Sequence, residues 1–94
     1  MAEDTIVFPD LSLMEQIDIL LPTLGFPAST EIEVEPALDY PGQQLAIDIY
    51  APTDEALHTA VEAIRDALFL KFRIATRTAS EINREYSAQR ALSA

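Results

Sequence analysis

Ser29-Thr30-Glu31-Ile32-Glu33-Val34-Glu35, the turn Asp39-Tyr40-Pro41-Gly42, the run Gln43-Gln44-Leu45-Ala46-Ile47-Asp48-Ile49-Tyr50 and the opening Pro52-Thr53-Asp54-Glu55 follow one another with little slack, and their reading decides the fold. In the first run charged and β-branched residues alternate, so Ile32 and Val34 share one face of a strand and Glu31, Glu33 and Glu35 the other. The second run alternates the same way, with Leu45, Ile47 and Ile49 on the apolar side and Ala46, Asp48 and Tyr50 opposite. Between them Pro41 supplies a fixed φ and Gly42 tolerates positive φ, the requirements of a type II turn. A hairpin is predicted. Thr53 then caps a helix whose first turn carries Asp54 and Glu55 against the dipole, and Leu57, Ala60, Val61, Ile64, Ala67 and Leu68 form its apolar stripe. A lone hairpin is marginal in water, so this helix is expected to supply a second layer.

Upstream, Thr5-Ile6-Val7-Phe8 is a β-favouring run closed by Pro9, so residues 1–11 are expected to hold a strand or an anchored arm. Ser12-Leu13-Met14-Glu15 matches a capping box, predicting a helix from about Ser12 with Leu13, Ile17, Leu20, Leu21 and Leu24 inward. Pro22 stops regular helix near Leu21, ahead of Gly25 and Pro27. Downstream, helical and alternating periods compete from Leu68 onward. The alternation predicts a strand over about Phe72 to Thr78, with Phe72, Ile74 and Thr76 toward the helices and Lys71, Arg73 and Arg77 on the side of the hairpin glutamates. Ser80 and Glu81 open a last helix, residues 80–94, whose stripe of Ile82, Tyr86 and Leu92 is thin.

The expected fold is therefore one α+β domain over residues 1–94, a two-layer sandwich of ferredoxin-like, split βαβ order (β-α-β-β-α-β) with an extra C-terminal helix. Without the first strand the order resembles a three-stranded, KH-like arrangement, but no Gly-x-x-Gly is present to bind nucleic acid: the glycines are Gly25 and Gly42. Topology alone implies no function.

Charge narrows the options. Residues 1–64 hold thirteen Asp and Glu and no Lys or Arg, residues 65–94 hold six Lys and Arg against three Asp and Glu, and the net charge is −10. Such a field repels phosphate backbones, so direct nucleic-acid binding is not expected. No apolar run approaches the ~20 residues that span a bilayer, and Met1-Ala2-Glu3-Asp4 leads into no secretory h-region, which makes a cytoplasmic protein without a membrane partner the expectation. The absence of cysteine excludes disulfides, thiolate metal sites and cysteine nucleophiles.

Candidate chemistry is thin. Glu55-Ala56-Leu57-His58 has the Glu-x-x-His spacing of di-iron helices, and Asp54, His58 and Glu62 are one turn apart. Di-iron chemistry needs a second such motif, and His58 is the chain's one histidine. The simpler reading is a solvated histidine among acids, so no metal, cofactor or catalytic residue is expected. No serine lies in a nucleophile elbow, and with two glycines no loop cradles phosphate.

What remains is a surface. Glu31, Glu33, Glu35, Asp48 and Tyr50 on the hairpin, Lys71, Arg73 and Arg77 on the last strand and Tyr86 on the last helix are the candidate partner-binding residues. In the strand order 4-1-3-2 they make an acidic edge and a basic edge, suited to head-to-tail self-association or to a partner over the open sheet face. The expected function is a non-catalytic, regulatory or structural protein-interaction module, homo-oligomeric or part of a larger assembly. The alternatives are an acidic inhibitor that mimics nucleic acid, since alternate strand residues and successive duplex phosphates are both spaced about 7 Å apart, and a structural subunit of a virus particle.

Overall fold

The computed structural model describes residues 1–37 and 44–93, with side chains to 89. The predicted turn at Asp39–Gly42, Tyr40 within it, and the side chain of Leu92 lie outside the described residues. The described residues form an α+β arrangement, a four-stranded antiparallel sheet with three α-helices. Strand β1 spans Ala2–Phe8, helix α1 Met14–Leu20, β2 Glu31–Pro36, β3 Leu45–Ala51, α2 Asp54–Phe72, β4 Arg77–Thr78 and α3 Ala79–Ser93. The sheet order is β2-β3-β1-β4, and each neighbouring pair is antiparallel.

Register and alternation assign the two faces. Ile6 opposes Ile47, Phe8 opposes Leu45, and Ile49 and Ile47 oppose Ile32 and Val34 across β2. These side chains meet Ile17 and Leu21 of the first helical segment and Ala60, Val61, Ile64 and Leu68 of α2 in one buried cluster. Fully burying each such side chain is worth about 1.5–3 kcal/mol, which makes this layer the main source of stability. Of the residues predicted to be inward, Leu45, Ile47, Ile49, Ala60, Val61, Ile64 and Leu68 form the core, Ile32, Val34 and Leu57 pack against it half-buried, and Ala67 lies outside the cluster.

Local signals explain the first helical segment and amend its expected start. Asp10, rather than Ser12, caps it: the Ser12 amide and hydroxyl both donate to Asp10 Oδ1, at 2.9 and 2.6 Å. A 3-10 turn over Leu11–Leu13 precedes α1. Pro22 ends α1 as its chemistry requires, and a second 3-10 turn, Leu21–Thr23, follows. Thr53 caps α2 by accepting the Ala56 amide at 3.1 Å.

The largest departure from the sequence expectation is at the end of α2. The helix runs to Phe72, and β4 is confined to Arg77 and Thr78 rather than reaching from Phe72. The physical reason is spacing. Val61, Ile64, Leu68 and Phe72 keep the three-to-four-residue interval, and Phe72 packs edge-on against Phe8 with ring centroids 6.1 Å apart. Arg73 then breaks the helix in the left-handed conformation, φ 58°, with its amide on the Phe69 carbonyl at 2.9 Å. Lys71 therefore belongs to the last turn of α2 and Arg73 to its cap, and neither lies in the sheet.

The cap of α3 is likewise Thr78, whose hydroxyl accepts the Glu81 amide at 3.2 Å, while the Ser80 amide donates to Asp4 Oδ1 at 3.3 Å. Among the described residues no helix is long and apolar enough to cross a membrane.

Candidate interaction surface

The sheet face turned away from α1 and α2 is where the strand alternation places the candidate acids. Glu31 opposes Tyr50, Glu33 opposes Asp48 and Glu35 opposes Ala46 across β2 and β3. Continuing into β1, Tyr50 opposes Glu3, Asp48 opposes Thr5 and Ala46 opposes Val7, which in turn opposes Arg77 of β4. This arrangement sets Glu3, Glu31, Glu33, Glu35 and Asp48 around Tyr50. Glu3 enters the surface through the register of β1, a pairing that strand periodicity alone does not supply.

The geometry at the centre is specific. The Thr5 hydroxyl donates to Asp48 Oδ1 at 2.7 Å, fixing that carboxylate next to Tyr50. The phenol of Tyr50 titrates above its ordinary value of about 10, first because of the Asp48 charge, then through partial desolvation, then through Glu3, Glu33 and Glu35. A neutral tyrosine is held within a ring of anions.

The predicted basic half of this surface is not assembled. With Lys71 and Arg73 outside the sheet, Arg77 is the one of the three predicted cations in a strand, and it pairs with Glu85 of α3. The face is consequently mostly acidic rather than evenly two-signed, with Arg77, opposite Val7, the cation its strands carry among the described residues. At one end the face is covered rather than open: Val7 is 1% exposed and Ala46 4%, although both point away from the helical core.

Helix α3 is the second feature. Its first turn is held to the body by Arg65, which donates to Glu81 Oε1 at 2.6 Å and to the Thr76 carbonyl at 2.9 Å. Beyond that turn, residues 83–89 are exposed, Tyr86 among them at 63%, while Glu85 pairs with Arg77 of β4. The candidate residue Tyr86 is thus presented by α3, apart from the hairpin acids.

Asp54, His58 and Glu62 remain in a row along α2, and among the described residues no group of three or more His, Asp or Glu side chains is gathered as a metal site. A cleft of about 250 Å³ next to His58 is bordered by Asp4, Arg65, Ser80 and Arg84, with Leu57 and Val61 also lining it, and mixes charges of both signs. Comparison with family models, curated proteins and solved structures finds no match for this chain.

Proposed function

We propose that this chain is a non-catalytic protein-interaction module that offers the acidic sheet face and the standing C-terminal helix to a basic partner. The observation that carries the reading is the registered group of Glu3, Glu31, Glu33 and Asp48 around Tyr50, a concentration of anions on one face with an aromatic at its middle. Tyrosine brings contact area at low entropy cost and is enriched where interfaces form. The exposed surface of α3 over residues 83–89, Tyr86 at 63% among it, supports a second contact, since exposed aromatics are enriched where interfaces form.

Of the two partner types, a foreign basic protein is favoured over a second copy. Two copies meeting through this face would set mostly like charges against one another, because Lys71 and Arg73 belong to the end of α2 and Arg77, the cation on the face, is paired with Glu85. The fold assigned to the module is ferredoxin-like with an added helix; the observed order, read from the β4 edge as 4-1-3-2 with antiparallel neighbours, supports that assignment. The nucleic-acid mimic is the second reading, favoured by the regular alternation of Glu31, Glu33 and Glu35 along β2.

Affinity capture from cell extract at low salt tests the proposal. Proteins retained by the wild-type chain are expected to be lost with the double variant Glu33→Lys, Asp48→Lys and kept with Glu15→Lys, Glu55→Lys. Equal retention by both variants contradicts it.

A further inference from the structure

Strand β2 ends the sheet on one side, and among the described residues nothing pairs with its outer edge. The Ala37 amide donates to the Gln44 carbonyl at 2.9 Å, so Ala37 turns its backbone groups toward β3. Strand alternation then turns those of Glu35, Glu33 and Glu31 inward and those of Ile32, Val34 and Pro36 outward. Pro36, with no N–H, falls in the outward set, where a proline is tolerated on an edge. The Thr30 amide is already spent on the Pro27 carbonyl at 3.3 Å. Ile32 and Val34 are left presenting main-chain donors and acceptors at the rim.

Beside that rim, on the helix side, is an open apolar groove of about 350 Å³ between Leu21, Pro22 and Phe26 and the side chains of Ile32 and Val34, with Asp18 at its border. On the other side of the same strand stand Glu31 and Glu33, both exposed. An extended segment laid along β2 meets all three features with the period of a strand: main chain to main chain, one set of side chains into the groove, the alternate set against carboxylates.

We propose that the outer edge of β2 takes an extended peptide segment of a partner in which basic and apolar residues alternate, adding a fifth strand to the sheet. Charge selects this occupant. A second copy pairing through its own β2 would place glutamates opposite glutamates, which destabilises a ladder. The inference rests on the proposed reading for the role of the carboxylates, and adds to it the edge, the groove and the partner's conformation.

The test is a titration of the ¹⁵N-labelled full chain with an end-blocked hexapeptide alternating lysine and valine, followed by amide shifts. Strand addition predicts the largest shifts at Ile32 and Val34, and a roughly tenfold or greater loss of affinity when the peptide's inward amides are N-methylated, since two main-chain hydrogen bonds disappear. The protein variant Val34→Pro removes an outward N–H without touching the β3 ladder and is expected to lose binding to a similar extent; the N-methylated peptide gives the same information with the protein unaltered. Binding that survives N-methylation but is lost with Glu33→Lys overturns strand addition while leaving the acidic-face reading in place. Absence of any shift at millimolar peptide overturns the inference. Binding indifferent to both changes contradicts both.

Discussion

Arg65 on α2 donates its guanidinium to the Glu81 carboxylate on α3 at 2.6 Å, and through its other terminal nitrogen to the Thr76 carbonyl at 2.9 Å. One side chain thereby ties the segment before β4 and the start of α3 to the helical layer. Both partners are about a third exposed, so the contact is weaker than a buried pair, yet the planar fork serves two acceptors at once. Arg65→Ala is expected to lower unfolding free energy by roughly 1–2 kcal/mol in urea titration, and Arg65→Lys to recover less than half of that, because a single ammonium reproduces the fork poorly. A loss below about 0.5 kcal/mol would class the contact with ordinary surface ion pairs.

Thr76 supplies a second, opposite expectation. Its side-chain hydroxyl is buried and, among the described residues, has no hydrogen-bond partner. Burying an unpaired hydroxyl is costly, so Thr76→Val, which keeps the shape, is expected to raise stability by about 0.5–1 kcal/mol in the same assay. A destabilised variant would mean that the hydroxyl is bonded in solution.

Arg73 holds a left-handed backbone, φ 58°, where a side chain brings steric cost and glycine does not. Arg73→Gly is expected to stabilise the fold by about 0.5–1 kcal/mol, the relief at the cap exceeding the extra freedom given to the unfolded chain. Thermal unfolding measures it, and a lower midpoint for the glycine variant would contradict the cap.

The Tyr50 phenol gives a pH signature. Its folded value lies above that of the unfolded chain, led by the Asp48 charge, so its contribution to stability is complete below about pH 10 and is lost as the pH climbs through the folded value. Ring-resonance titration is expected to move back toward about 10 in Asp48→Asn, with Glu33→Gln giving a smaller shift in the same direction. Unchanged titration in Asp48→Asn would remove Asp48 as the leading cause.

These results mark what the sequence alone revealed and where it fell short. The hairpin faces, the Thr53 cap and the stop at Pro22 are written in local chemistry, and periodicity of two or of 3.6 reads them directly. Residues 68–74 satisfy both periods, and the choice is made by a contact distant in sequence, Phe72 on Phe8. That one difference relocates Lys71 and Arg73 and leaves Arg77 as the cation in the strands of an otherwise acidic face. Glu3 joins the site through pairing with Tyr50, again a tertiary fact. Ser12 and Ser80 resemble caps in sequence, yet Asp10 and Thr78 reach the amides first.

The central claim is that one face, rather than net charge at large, recognises a basic partner. The most direct measurement is an amide-by-amide titration of the ¹⁵N-labelled chain with an end-blocked deca-lysine peptide, at low salt and at ~0.5 M salt, where the Debye length falls to about 4–5 Å. The account predicts shifts concentrated at Glu3, Glu31, Glu33, Asp48 and Tyr50 that fade in high salt. Shifts of equal size at Glu15, Asp18, Glu55 and Asp66 on the helical side would contradict it.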